Sequence, residues 1–521
     1  MRRVLALDQS TSATKALLFD ESGQCLDRES LPHQQYYPQP GWVEHDAEEI
    51  WQNTLTVLRA VLSRPPFAEA SGGALGAGGA RPPGALSLPA APLCLSIANQ
   101  RETFVIFDRA TGRPLHRAIV WQCRRGDALC EAQKQAGREE TIRLRTGLRV
   151  DSYFSASKLQ WLLRSEPELC ARVAAGSALI GTIDCYLVYR LTAGAVFATD
   201  CTNASRTLLY DIGRLGWDAE LCSWWEVPMK ALPQVRESAA SFGFTTLEGT
   251  LAQPLPICGV MGDSQASLFG QQCFGPGDAK VTFGTGSSVM MNIGREPRFP
   301  DNGVVTALAW IQNGVPTYAV EGLIISSASG LVWLRDQLAV IDDLGQAVAM
   351  TRELADNDGV YLVPAFSGLG LPYWQPDARA AIVGLTSRSD RRHLVRACLE
   401  SMAYQLADVI EAMKEEAGIR LTTLCADGGP TANRFLMQFI ADITGVELQI
   451  STASEGSAFG SALAGLLGTG VFASTAELRS TLRRHQAYQP QMNRAEADRL
   501  IAGWRRAIRS VLLTEPSLSP L

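Results

Sequence analysis

Two widely separated stretches of this chain share one local pattern: a short apolar strand, a tight turn of small and hydroxyl residues, and a second apolar strand. In the first, Val4-Leu5-Ala6-Leu7 runs into Asp8-Gln9-Ser10-Thr11-Ser12 and leaves through Ala16-Leu17-Leu18-Phe19. In the second, Lys280-Val281-Thr282-Phe283 runs into Gly284-Thr285-Gly286-Ser287-Ser288 and leaves through Val289-Met290-Met291. Each reads as a β-hairpin. Turns built from Gly, Ser and Thr expose backbone N–H groups and hydroxyls that can surround phosphate oxygens. A single such hairpin says little, but two, each opening one half of the chain, point to a duplicated domain with facing phosphate loops. A third turn, Asp427-Gly428-Gly429-Pro430, follows the strand-like Leu424-Cys425-Ala426 and precedes a helical run from Asn433 to Ile443. The N-terminus of that helix would also suit an anion.

Helices alternate with strands. Leu394, Cys398, Met402, Leu406, Val409 and Met413 form a core-facing stripe on a helix over His393–Ala417, with Asp390 as N-cap and Gly418 as stop. The alternation makes the fold α/β, and 521 residues exceed one ordinary core. Two domains are expected, 1–256 and 257–521. The Ala-, Gly- and Pro-rich stretch at about 64–92 reads as a surface insertion, and Glu515–Leu521 as a frayed tail.

Apolar residues make up 46% and charged residues 19%, as in a globular protein. A formal net charge of -6 without a basic run argues against nucleic-acid binding. No apolar stretch is long enough for a membrane span. The apolar run after Arg3 stops after four residues, too short for a signal core, so a cytoplasmic protein is expected. Twelve scattered cysteines and five histidines form no ligand cluster, which argues against a metal-ligand site or disulfide framework and for buried thiols.

Longer blocks are more specific. They include Ala6-Leu7-Asp8-Gln9-Ser10-Thr11, Asn99-Gln100-Arg101-Glu102-Thr103, Ala118-Ile119-Val120-Trp121-Gln122, and Tyr153-Phe154-Ser155-Ala156-Ser157-Lys158-Leu159. The series continues with Thr202-Asn203-Ala204-Ser205-Arg206-Thr207, Gly262-Asp263, Phe283-Gly284-Thr285-Gly286, and Asp427-Gly428-Gly429. In sequence and order these blocks resemble the FGGY carbohydrate kinases, the glycerol kinases most closely. The resemblance implies two ribonuclease-H-like domains of the actin type around a nucleotide cleft. It also implies ATP and Mg²⁺ as cofactors and a small polyol or sugar as substrate. A homo-oligomer, dimer or tetramer, is left open.

By the same resemblance Asp263 is the catalytic base; a carboxylate there would orient the attacking hydroxyl and accept its proton. The competing reading is a helix N-cap near Gln265. Asp8 resembles the Mg²⁺-associated aspartate, the alternative being a turn residue. Ser10, Thr11 and Ser12 would line the phosphates with Lys15 nearby, and Gly284, Thr285 and Gly286 would hold the terminal phosphoryl from the other side. Arg101, Glu102 and Tyr153 resemble polyol-binding residues and Trp121 an apolar wall. Polar groups facing an aromatic plane suit a molecule with hydroxyls on one side and C–H on the other. Gly429 and Asn433 resemble the nucleotide pocket, the alternative being a plain helix entry.

Three departures stand out. Where glycerol kinases usually carry Gln after the base and Phe two residues past the Gly-Thr-Gly loop, this chain has Ser264 and Ser288, and Ser264 is expected to touch substrate. Val332 stands where an amide would lie near the nucleotide. The Gly-Gly-Thr-Arg loop tied to fructose-bisphosphate inhibition has no counterpart between Phe242 and Pro256. The expected reaction is ATP-dependent phosphorylation of a terminal hydroxyl of glycerol or a close relative. The alternatives are a C4–C5 polyol or ketose and, in another class, a non-catalytic sugar or nucleotide sensor.

Overall fold

Both hairpins form, and each begins a sheet. The structure, a computed structural model, describes residues 2–64, 92–375, 377–451, 455–479 and 486–512. Apart from its end residues, the insertion expected at 64–92 lies outside the described residues, as does the C-terminal tail.

Strands Arg3–Gln9 and Ala13–Asp20 pair antiparallel from Arg3↔Asp20 to Gln9↔Thr14, and Cys25–Pro32 adds a third antiparallel strand. Leu95–Asn99 then pairs parallel with Arg3–Gln9, Leu255–Gly262 pairs parallel with Leu95–Asn99, and Ser241–Thr245 closes the six-stranded sheet. The second sheet repeats this plan. Asp278–Phe283 and Ser287–Gly294 form the hairpin, with Val315–Ile324 and Val305–Gln312 antiparallel beyond it. Thr423–Gly428 pairs parallel with Asp278–Phe283, and Leu448–Ile450 parallel with Thr423–Gly428. Two antiparallel meanders, each extended by parallel crossover strands from its first strand, constitute the duplicated ribonuclease-H-like, actin-type α/β fold. Strands of this kind are buried on both faces, so they read as continuous apolar runs rather than alternations; Val4, Leu5, Ala6 and Leu7 are all buried. The expected domain boundary falls inside Leu255–Gly262, a strand of the first sheet.

The long helix spans Arg391–Ala417. Asp390 caps it in a reciprocal box with His393, and Gly418 ends it at φ 62°. Residues off the expected stripe, Val395, Leu399 and Ala403, are buried too, so this helix runs through the core of the second half.

Helix Gly456–Gly468 belongs to the second half of the sequence yet packs on helix Asp263–Gly270 and on the first sheet. Glycines permit the approach. A Cβ on Gly460 would stand 1.7 Å from the Ala266 carbonyl oxygen, and one on Gly259 (φ +82°) 2.3 Å from the Gly465 nitrogen. Gly460→Ala should therefore force the two helices apart. Overpacking of this kind costs about 1–3 kcal/mol. The expected outcome is a lower melting temperature together with reduced activity, because helix Asp263–Gly270 begins at the candidate base.

Candidate active site

The C-terminal ends of the parallel strands, where α/β sheets place their ligands, bring most of the expected site residues to one region. Its centre is a buried set of charges. Arg101 grips Glu321 with both terminal nitrogens, at 2.8 and 3.2 Å. Arg206 Nε donates to Glu102 Oε1 at 2.6 Å, and its Nη1 lies 2.8 Å from Glu321 Oε2. All four side chains are buried. Burial alone would raise the Glu321 pKa, but Arg101 and then Arg206 override it and hold the carboxyl down at about 2. At Glu102 burial prevails over the same two guanidiniums and the pKa is raised. The Glu102 backbone is left-handed, at φ 62°, the kind of strain that persists only where surroundings over-determine it.

Asp263 stands at the edge of this network. Its Oδ1 accepts the Ser264 N–H at 2.7 Å and lies 3.3 Å from Arg101 Nε. The side chain is 36% exposed, against 4% for Arg101, and Oδ2 accepts no hydrogen bond among the described residues. The N-cap reading of Asp263 is corrected: the helix starts at Asp263 itself and Gly262 occupies the cap position. Gly262 must be glycine, since a Cβ would come within 2.6 Å of Arg101 Cγ.

The indole of Trp121 and the ring of Tyr153 meet at 5.2 Å, and Trp121 Nε1 donates to Thr11 Oγ1 at 3.0 Å. The aromatic pair is thus tied to the turn of the first hairpin. Behind it the buried Lys158 ammonium donates to the carbonyls of Ser152, Tyr153 and Phe154; burial pushes its pKa down to about 8.

The first loop is partly self-satisfied. Ser10 Oγ donates to the Ala13 carbonyl at 3.0 Å and accepts the Ala13 N–H at 3.2 Å. Its hydroxyl closes the turn, the Thr11 hydroxyl already accepts from Trp121, and Ser12 is the exposed residue of the loop. Lys15 stands opposite Asp8 across the hairpin, 3.7 Å from its Oδ2, and 2.9 Å from Glu455 Oε2. Burial raises the Asp8 pKa to about 6; Lys15 opposes this, while Asp263 and Glu455 add to it.

The second loop is braced by backbone. The carbonyls of Gly284 and Thr285 accept N–H groups of Ser327, Ala328 and Ser329 at the entry to helix Ser329–Asp336. A Cβ on Gly286 would meet the Ile324 carbonyl oxygen at 2.6 Å. The Gly284 and Thr285 positions are exposed, as is Val332 on that helix. Gly429 is open, with nothing within 4 Å of a Cβ. Asn433 accepts the Leu436 N–H at 3.2 Å and caps helix Arg434–Thr444. Ser264 and Ser288 do adjoin, their hydroxyl oxygens 3.5 Å apart.

Several residues escaped the sequence reading. Glu321, Lys280 and Glu455 gave only a weak signal, a lone charge in or beside an apolar stretch. Arg206 and Asp427 lay in recognised blocks without a role. Asp427 Oδ2 accepts from Ser267 and Gln271 at 3.2 and 3.1 Å, while its buried Oδ1 has no hydrogen-bond partner among the described residues.

Removing one member of a buried ion network leaves its partners uncompensated, at a cost of about 3–5 kcal/mol. Glu321→Gln should destabilise the protein by that order. Because the folded pKa is depressed, the stabilisation is complete above the ordinary value of 4.5 and is lost as pH falls toward 2. Urea midpoints of variant and wild type should differ by a constant amount between about pH 6 and 8 and converge only in acid.

The N-terminal domain of the FGGY family of carbohydrate kinases matches residues 3–270 and its C-terminal domain residues 279–469. Glycerol kinase 1 of Thermotoga maritima is 45% identical over 512 residues, covering 98% of this chain and all of its own. The glycerol kinase of Halorhodospira halophila is 44% identical over 508 residues, covering 98% and 96%. The crystal structure of Plasmodium falciparum glycerol kinase with ADP has a TM-score of 0.90 at 33% identity and covers 98% of each chain. A ligand-bound xylulose kinase from Lactobacillus acidophilus, at 18% identity and TM-score 0.85 over 99% of each chain, shares the fold. With both domains matched in order and relatives similar over nearly their whole length, this chain belongs to the FGGY family of carbohydrate kinases.

Proposed function

We propose that the chain transfers the γ-phosphoryl group of ATP to a terminal hydroxyl of glycerol, giving glycerol phosphate and ADP. The observation that carries this reading is the Asp263 carboxylate, the member of its charge network left partly open to solvent, with Oδ1 held and Oδ2 free of hydrogen bonds among the described residues. Near-full-length similarity to glycerol kinases supports the choice of polyol.

In this reading the hydroxyl donates its hydrogen bond to Asp263 Oδ2 while Arg101 fixes the carboxylate from the Oδ1 side. As the oxygen attacks the γ-phosphorus, its proton passes to Asp263 and the bond to the ADP oxygen breaks. Arg101 and Glu102 receive the remaining hydroxyls, and Trp121 and Tyr153 cover the C–H face. Thr11, Ser12 and Lys15 on one loop and Gly284, Thr285 and Gly286 on the other face the transferring phosphoryl, where charge develops. Gly429 and the entry to the helix capped by Asn433 lie beside the nucleotide. Movement of the two halves toward each other would exclude water.

The residues present fit a magnesium ion carried with the nucleotide. Asp8 is a buried carboxylate beside two further acids, and Asp427 Oδ1 is an orphaned acceptor. No three His, Cys, Asp or Glu side chains among the described residues gather closely enough to cage a metal unaided, in keeping with an ion that takes most of its ligands from phosphate and water. Asp8 would hold it, and the bound ion would neutralise phosphate charge.

Asp263→Asn should cut turnover by about 10²–10⁴-fold while leaving the melting temperature and ATP binding nearly as they are. Polyol-dependent ADP release within a few-fold of wild type would remove Asp263 as the base. Asp8→Asn should raise the KM for MgATP and the magnesium concentration needed for half-maximal rate, both read from initial-rate titrations. If wild-type protein releases no ADP with any polyol, a non-catalytic sensor would replace the kinase reading.

A further inference from the structure

Beside Asp263 lies a set of polar contacts that a three-hydroxyl substrate leaves unused. Ser288 Oγ is 3.5 Å from Ser264 Oγ, 3.3 Å from Glu321 Oε1 and 3.4 Å from Lys280 Nζ. Settled hydrogen bonds are about 2.5–3.0 Å for O–H···O and about 2.7–3.2 Å for N–H···O, so each of these contacts is long. Both serines are partly exposed, whereas Lys280 and Glu321 beneath them are buried. The Lys280 ammonium brings three donors but has only Thr282 Oγ1, at 3.1 Å, and Ser288 Oγ as hydrogen-bond partners among the described residues. A buried cation and a buried carboxylate thus reach the cleft through two small, loosely held hydroxyls. Such a surface suits a ligand hydroxyl, which can accept from one serine and donate to the other or to Glu321. Ser264 follows Asp263 directly, so the pair adjoins the reacting end of the substrate.

We infer that this cleft accepts linear polyols one or two carbons longer than glycerol, with the additional hydroxyl seated between Ser264 and Ser288. The inference rests on the polyol kinase reading above. Asp263, Arg101 and Glu102 account for the three hydroxyls of glycerol, so the serine pair supplies the site for a fourth. The chemistry is unchanged. The terminal hydroxyl oxygen bonds to the γ-phosphorus, its proton goes to Asp263, the bond to the ADP oxygen breaks, and a C4 or C5 polyol phosphate leaves with ADP.

The test measures ADP release by the full chain with MgATP and glycerol, erythritol, threitol, ribitol or xylitol. At least one longer polyol should give a kcat/KM within tenfold of glycerol's. In Ser264→Gln/Ser288→Phe, the ratio of glycerol to the best longer polyol should rise about 10–200-fold, the discrimination typical of filling or opening a methylene-sized gap. Ser288→Ala, a milder change should the double variant not fold, should also raise that ratio through loss of the bridging hydroxyl. Glycerol turnover with every longer polyol below one-hundredth of its kcat/KM would overturn the inference and leave the glycerol reading standing. An unchanged ratio in folded, active variants would likewise overturn the role of the serines. No ADP with any polyol would overturn the kinase reading itself and this inference with it.

Discussion

The contact between Arg101 and Glu321 is the constraint on which the rest of the site depends. Arg101 follows a strand of the first sheet and Glu321 lies in a strand of the second, 220 positions later. Their two-pronged bond therefore ties the two sheets to each other. Glu102 and Arg206 complete a set of two positive and two negative side chains, all buried. Taking such charges out of water is expensive, and a well-packed apolar cluster is often as stable. What the ionic version provides is direction: Arg101 has donors enough for Glu321, for Gln265 and for an approach to Asp263. The left-handed Glu102 backbone fits the same account, since Ser155 holds its carbonyl at 2.7 Å and Arg206 its carboxylate at 2.6 Å.

Close backbone packing completes the placement of Asp263. Its helix leaves the strand without a spacer, so the carboxylate sits at a helix N-terminus. On one side Gly262 lets Arg101 lie against the strand end; on the other Gly460 lets a second helix touch the Ala266 carbonyl. The first approach is by the buried Arg101 side chain, the second by backbone. In the proposed reading, where Asp263 meets a substrate oxygen at hydrogen-bonding distance, this placement matters because small misplacements are costly in rate. The aromatic wall is located in the same manner, with Trp121 tied to Thr11 and the Tyr153 backbone held by Lys158.

Much of this was legible in the sequence because it is written locally. The paired hairpins were visible as apolar runs broken by Gly, Ser and Thr, and the caps at Asp390 and Gly418 as residue types with a single strong preference. What escaped was written across the chain. Nothing near Glu321 announces Arg101 or Arg206, and nothing near Lys15 announces Glu455, 440 positions away. The expected boundary at 256 falls within Leu255–Gly262 because that strand joins the first sheet by pairing with Leu95–Asn99, a partner its own sequence does not name. Ser10 has the composition of a phosphate ligand, yet the turn that places it also consumes its hydroxyl.

The first hairpin shows what burying a carboxylate asks of a fold. Burial raises the Asp8 pKa from 3.8 to about 6; Lys15 opposes that shift, and Asp263 and Glu455 add smaller contributions to it. The sign follows from linkage: between those values the folded state holds a proton the unfolded chain has released. Asp8 therefore favours folding less as pH rises through that window, and at neutral pH its charge opposes the unliganded fold. In the proposed reading a cation arriving with phosphate would reverse this opposition, because it favours the ionised carboxylate that burial disfavours. The cost of burying the Asp8 charge would then be offset on binding rather than during folding. Part of the affinity for a metal-bound nucleotide would in this way already be present in the burial of Asp8.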